Sequence, residues 1–274
     1  MNGFFSLPLL GYNLKSRMRN FIIWSVISLC LFILIIVMFT NLLNAGLPDL
    51  LGDMLASFPT ASGEDKSVLL PDFKDFGVNF GVCMQIMLII GCVYASYLGA
   101  SANTGGRGDS DITFIYSLPV TRVCTVLTSF FAQFVTLFFY NIIVFLVSLA
   151  VLYSNNKMNY LGKILLAVAA FMLIELIYLS IAFLLSTFMN SSSQASSISA
   201  VVVTVTVIFG LIGSMANSLK LLKALSPYSY VSVYTIVSGG EGMFYIGIAA
   251  GLLITIISVV LSCIRYDKID FLLF

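Results

Sequence analysis

Six long apolar runs separated by short polar stretches set the pattern of the chain. They cover residues 21–43, 80–102, 126–153, 164–188, 198–215 and 244–264. The hydrocarbon core of a bilayer is about 30 Å thick, so a spanning helix needs about 20 apolar residues. Each run meets or approaches that length. Lipid offers no hydrogen bonds, so such runs must be helices or strands of a closed barrel. Barrel strands are about 10 residues long and alternate in polarity, which these runs do not. The pattern predicts an all-α membrane protein with six transmembrane helices, organised as one transmembrane domain over residues 1–274.

The polar stretches predict the rest. Residues 2–16 are apolar but too short to span and include Pro8, which suits an interfacial helix leading into the first span. Trp24 lies one turn into that span, at aromatic-belt depth. The 44–79 loop is acidic and proline-containing, and is too small for a domain of its own. Between the second and third runs, Gly105, Gly106 and Gly108 open a loop. Ser110 or Asp111 then suits the cap of a short helix ending near Ser117, before Pro119 breaks it. That helix carries Ile112, Ile115 and Tyr116 on one side. Residues 190–197 read as a polar inner turn. The 216–243 segment reads as one or two short helices resting on or dipping into the outer leaflet. No repeat of fixed period is visible.

Composition narrows the function classes. Hydrophobic residues make up 60% and charged residues 9%, a balance no soluble domain holds. The net charge of +1 argues neither for nor against nucleic acid; with no basic patch laced with aromatics, no nucleic-acid partner is expected. There is no histidine, which removes imidazole catalysis and His-ligated metal sites. The cysteines Cys30, Cys83, Cys92, Cys124 and Cys263 lie in or near apolar runs without metal-type spacing and read as small hydrophobes. Six spans put both termini on one side. Every arginine (Arg17, Arg19, Arg107, Arg122 and Arg265) falls on that side, and Lys15, Arg17 and Arg19 abut the first span. The positive-inside rule then predicts cytoplasmic termini, in a multi-pass protein of the cell membrane whose first span is uncleaved.

Chemistry inside the spans is sparse. Glu175 is the one acid within a run, near the middle of the fourth, and an ionisable group there is a functional candidate by default. Tyr178 follows one turn later on the same face. They are the candidates for a substrate path; the structural alternative is a hydrogen-bonded glutamate that fixes helix packing. Gln85, Gln133 and Asn141 suit inter-helix hydrogen bonds, and the small residues Gly91, Ala95 and Gly99, with Gly247 and Gly251, suit close helix contact. There is no phosphate-binding G-x-x-x-x-G-K-[ST] loop, so the chain is not expected to hydrolyse ATP by itself. No aspartate or lysine lies within a run to support intramembrane hydrolysis, and no catalytic residue, cofactor site or metal site is expected.

Four stretches carry a family resemblance. Leu14-Lys15-Ser16-Arg17 followed by Phe21-Ile22-Ile23-Trp24, Ser117-Leu118-Pro119-Val120-Thr121-Arg122, Leu225-Ser226-Pro227-Tyr228 and Arg265-Tyr266-Asp267 resemble segments of the permease subunits of type-2 ATP-binding-cassette exporters. The second is the most specific. A departure lies after the second run, where Gly106-Arg107-Gly108-Asp109-Ser110-Asp111 replaces the glutamate and Gly-Thr pair frequent in that family. The resemblance implies two permease subunits, identical or related, and two separate ATPase subunits that carry the ATP and Mg²⁺. It also implies an interfacial helix at residues 2–16 and a coupling helix in the 103–122 loop, with Asp109, Asp111, Ile112, Ile115, Tyr116 and Arg122 meeting the ATPase. The few polar residues in the spans suggest an amphipathic or lipophilic cargo: a peptide, a drug or a lipid-linked molecule. The alternatives are a stand-alone ion-coupled transporter using Glu175 and a non-transporting membrane immunity protein.

Overall fold

The computed structural model describes residues 6–45, 75–104, 121–189, 191–215, 220–238 and 245–267. Its α-helices are α1 (Leu7–Asn44), α2 (Phe76–Thr104), α3 (Arg122–Ser154), α4 (Leu161–Phe188), α5 (Ser192–Met215), α6 (Lys220–Leu225), α7 (Val233–Ser238) and α8 (Tyr245–Asp267). Single 3₁₀ turns, Met158–Tyr160 and Pro227–Tyr230, precede α4 and α7. Among the described residues six helices are long and apolar enough to cross a membrane: α1 to α5 and α8. The chain is a multi-pass membrane protein.

Helix ends follow local chemistry. Asp75 Oδ2 accepts a bond from the Val78 amide (3.4 Å) at the start of α2, Thr121 Oγ1 from Cys124 (3.3 Å) at the start of α3, and Ser191 Oγ from Gln194 (3.3 Å) at the start of α5. Each satisfies one of the amides a helix start leaves unpaired. The Ser191 cap shortens the inner turn expected over 190–197, because α5 already begins at Ser192. The expected interfacial helix and first span form one unbroken helix of 38 residues. Pro8 sits in its first turn, where the missing amide hydrogen costs nothing, and no later proline interrupts it. At about 1.5 Å per residue α1 is far longer than the hydrocarbon core, so it must tilt or extend beyond it.

The bundle has a centre and a rim. In α2 and α4, 56% of the most apolar window is buried inside the protein, against 17% in α1. The most extensive contact is α2 on α4; α8 packs on α4, while α1 leans on α3 and α2. Helices in lipid gain little from apolar burial, because the tails are as apolar as leucine; close approach and hydrogen bonds decide the pairing. Gly91 and Gly99 of α2 both face α4. A Cβ on Gly99 would run into the Leu179 carbonyl and the Phe183 amide, and one on Gly251 of α8 would run into Ile177. The small-residue stripes serve packing within the chain.

The segment before α8 folds into the bundle. Ser226 Oγ donates to the Thr206 carbonyl of α5 (2.6 Å), Tyr230 OH to the Ala224 carbonyl (2.9 Å), and the Val233 amide to Gln85 Oε1 of α2 (2.8 Å). Tyr228, Tyr230, Val233 and Val237 are buried. Gly81 of α2 leaves room for the Tyr234 backbone.

Candidate functional site

The polar side chains of the spans fall into two groups, one at mid-bundle and one at the terminus-side end. At mid-bundle, Glu175 lies halfway along α4 and is fully buried. Asn141 Nδ2 of α3 donates to Glu175 Oε2 (2.5 Å) and to the Leu137 carbonyl (3.1 Å). On the other side Glu175 Oε1 fills the space that a Cβ at Gly91 would occupy. Three helices therefore seal the carboxyl: α4 supplies it, α3 binds it, and α2 makes room with a glycine. The rings of Tyr94 and Tyr140 lie 4.8 Å apart. Among the described residues, the buried atoms Tyr94 OH, Tyr140 OH, Asn141 Oδ1 and Glu175 Oε1 find no hydrogen-bond partner. A buried network left partly satisfied is costly where it stands.

One turn on, Tyr178 reaches α5. Its hydroxyl lies 3.0 Å from Thr206 Oγ1, whose own hydrogen goes to the Val202 carbonyl (2.7 Å). Tyr178 is then the donor across α4 and α5. It also borders a seam between α2, α4 and α5 too tight for a water, with Ser96, Ser199 and Val203 among its walls. Ser180 ties α4 to α8 in the same way, donating to Thr255 Oγ1 at 3.3 Å.

At the terminus-side end the knot is Arg17. Its Nη1 donates to Ser101 Oγ and its Nη2 to the Ser101 carbonyl, each at 2.5 Å. The Gln133 amide, oriented with its oxygen toward the guanidinium, accepts from Nε (2.9 Å) and Nη1 (3.1 Å). Asn20 donates to Tyr97 OH (3.1 Å), and Trp24 stacks between Tyr94 and Tyr97 at 5.5 and 5.8 Å. Trp24 thus turns inward to α2 rather than outward as a belt residue. Sequence reasoning used Arg17 for orientation and for the family resemblance, and missed that it pins α1 to α2 and α3. The available signal was Gln133, a polar residue about three turns into the apolar α3, with Ser101 in the last turn of α2 at the same end.

The candidate coupling residues Asp109, Asp111, Ile112, Ile115 and Tyr116 lie outside the described residues. Arg122 is described and opens α3, directly after the Thr121 cap. The structure brings Glu175 and Tyr178 onto one buried face of α4. Among the described residues there is no cluster of three or more metal-ligating side chains.

The outward faces of the rim helices differ. Along α8 the exposed side chains from Tyr245 to Ile264 are apolar, while Thr255, Ser258 and Ser262 point inward. Along α5, Ser193, Gln194, Ser197 and Thr204 are exposed among Ile198, Val201, Val205, Ile208 and Ile212.

Comparison with known proteins agrees with this architecture. Among curated proteins none matches the chain. A family model described as ABC-2 family transporter protein matches residues 10–271, so the six spans of the described residues and the 103–122 segment fall within it. With six membrane-length helices, and a match running from the first turns of α1 past the end of α8, the chain belongs to the ABC-2 transporter family as a permease subunit.

Proposed function

We propose that this permease is the membrane half of an exporter. Two ATPase subunits, which bind the ATP and Mg²⁺, act on its 103–122 loop, and a second permease, identical or related, meets it across α5. The family membership supports an ABC transporter permease working with separate ABC ATPase subunits. The outward face of α5 is the observation that carries the rest. Lipid satisfies neither exposed hydroxyls nor amides. Thr204 donates its hydroxyl to the Ala200 carbonyl of its own helix (2.9 Å), so it is the outward Ser193, Gln194 and Ser197, on the first two turns of α5, that suit a protein neighbour or a wetted path. Ile198, Val201, Val205, Ile208 and Ile212 recur at alternating three- and four-residue steps, the spacing of a helix-pairing seam.

In this reading the termini are cytoplasmic and the membrane is the cell membrane. Asp109, Asp111, Ile112, Ile115, Tyr116 and Arg122 form the grip for the ATPase, a mix of apolar and charged groups suited to a separable interface. ATP-driven closure pulls the loop, and the bundle shifts between two arrangements. Tyr178 stands at the movable seam between α4 and α5. Glu175 sits behind it in the network whose unpartnered atoms a second arrangement would complete. The cargo is amphipathic or lipophilic, because the outward face of α5 is mainly apolar with a few hydroxyls.

Purification of the chain from its native membrane in mild detergent tests this. A soluble protein with a phosphate-binding loop should accompany the wild type and be lost from Tyr116→Asp and Arg122→Glu. A chain that purifies alone and moves cargo down an ion gradient would overturn the reading.

A further inference from the structure

Glu175 is the only carboxyl buried among the described residues, at 0% exposure. Its two oxygens have different surroundings. Oε2 takes one hydrogen, from Asn141 Nδ2, a neutral amide. Oε1 lies with the rest of the carboxyl against the α2 backbone, in the space that Gly91 leaves by having no side chain. The amides of α2 are spent inside that helix. Among the described residues nothing donates to Oε1.

Among the described side chains no cation reaches this carboxyl. Arg17 is committed to Ser101 and Gln133, and Ser101 is ten residues along α2 from Gly91, about 15 Å at 1.5 Å per residue. Lys163 is twelve residues before Glu175 on α4 and sits over the Tyr160 ring, about 18 Å away along the helix. Arg122 opens α3, and Arg265 sits over Phe188 near the end of α8. Lys15, Arg19 and Lys157 are exposed. The titratable groups within the field of Glu175 are Cys92 and Tyr94 of α2 and Tyr140 of α3, with Tyr178 one turn on. A thiol and phenols are neutral in their ordinary form at pH 7, so none supplies a positive charge.

A carboxylate taken out of water needs a cation or several donors. With one neutral amide, the cheaper state is the one without charge. We infer that Glu175 is a proton-binding site: it stands as the neutral acid, with its hydrogen on Oε1 and its carbonyl oxygen, Oε2, accepting from Asn141. The amide identifies the oxygens, because the carbonyl of an acid is a better acceptor than its hydroxyl. The proton is then part of the seal that joins α2, α3 and α4. It belongs to the fold and does not rest on the exporter reading.

The test is the infrared spectrum of the full-length chain in lipid vesicles at neutral pH, with its glutamates labelled with carbon-13 at the side-chain carboxyl. The sequence holds three glutamates, Glu64, Glu175 and Glu241. Glu64 and Glu241 fall in the stretches between the apolar runs, and an ordinary glutamate is ionised at pH 7. The label should therefore show carboxylate bands together with one acid carbonyl stretch, the acid accounting for about a third of the labelled carboxyls. Glu175→Gln should remove the acid stretch. Asn141→Leu should keep it and move it to higher frequency, as a carbonyl does when it loses its donor. The wild-type spectrum needs no variant, so it reports even if a variant fails to fold. Carboxylate bands alone in the wild type, or an acid stretch that survives Glu175→Gln, would overturn the proposal. An acid stretch that stays in place in Asn141→Leu would overturn the assignment of the hydrogen to Oε1.

Discussion

Helices α5 and α8 are alike in bulk and different in detail. Each buries 28% of its most apolar window, and their mean hydropathies are close, at 2.2 and 2.5. Both are tethered to α4 by one hydroxyl pair, Tyr178 to Thr206 and Ser180 to Thr255. Yet α8 turns its hydroxyls inward and shows lipid an apolar face, whereas α5 leaves Ser197 and Thr204 outside. Average hydropathy identifies a span; only the placement of its few polar groups distinguishes a lipid-facing helix from one that suits a partner or a path.

The largest effect should come from a charge placed at mid-span on each helix. Ile256→Arg on α8 sets a cation against hydrocarbon, costing about 2.5–3.5 kcal/mol of insertion free energy, and should cut the yield of inserted protein sharply. Thr204→Arg on α5 should insert at near wild-type yield but abolish ATP-driven transport. Yields from membrane fractions and transport in vesicles measure the two sides, and equal insertion defects would break the comparison.

A smaller effect is expected from bulk without charge. Val205→Trp should lower the transport rate by about tenfold, as loss of about 1.4 kcal/mol of a productive contact would. Ile256→Trp only adds lipid-facing surface and should leave the rate close to wild type. Removing the tethers is milder. Tyr178→Phe and Thr255→Val should each cost about 1 kcal/mol in thermal or denaturant unfolding, but only Tyr178→Phe should also change transport. Least of all, Glu175→Gln keeps a carbonyl to accept from Asn141 and should shift stability by less than about 1 kcal/mol, the worth of one neutral hydrogen bond. Transport lost in this variant, with folding intact, would favour an ion-coupled carboxyl instead.

The six spans were legible because lipid imposes length and apolarity on every crossing helix. Their ends were less so. The sequence pattern placed a boundary between residues 16 and 21, where Lys15, Arg17 and Arg19 interrupt the apolar run. The helix continues through them because Arg17 finds Ser101 and Gln133 on neighbouring helices. Start points such as Ser192 depend on one capping hydroxyl, which a run of serines does not single out. The faces were the hardest to read. In water an apolar stripe marks the core, but in a membrane both faces are apolar, so Trp24 could be read as a belt residue although it stacks on Tyr94 and Tyr97. Glu175 stood out from composition alone, while its seal by Gly91 and Asn141 needed three helices in place.

The central claim is that α5 turns its outward face to protein or a path and α8 turns its own to lipid. Cysteine labelling in native membranes tests it most directly. With Cys30, Cys83, Cys92, Cys124 and Cys263 replaced, single cysteines at Val201, Thr204, Val205 and Ile208 of α5 are compared with cysteines at Leu253, Ile256, Ile257 and Val260 of α8. Each cysteine carries a nitroxide label, and its collision rate with oxygen, which partitions into lipid, is read in the assembled transporter. The account predicts frequent collisions along α8 and few along α5, whether α5 meets protein or water. Equal collision rates on the two helices would contradict it.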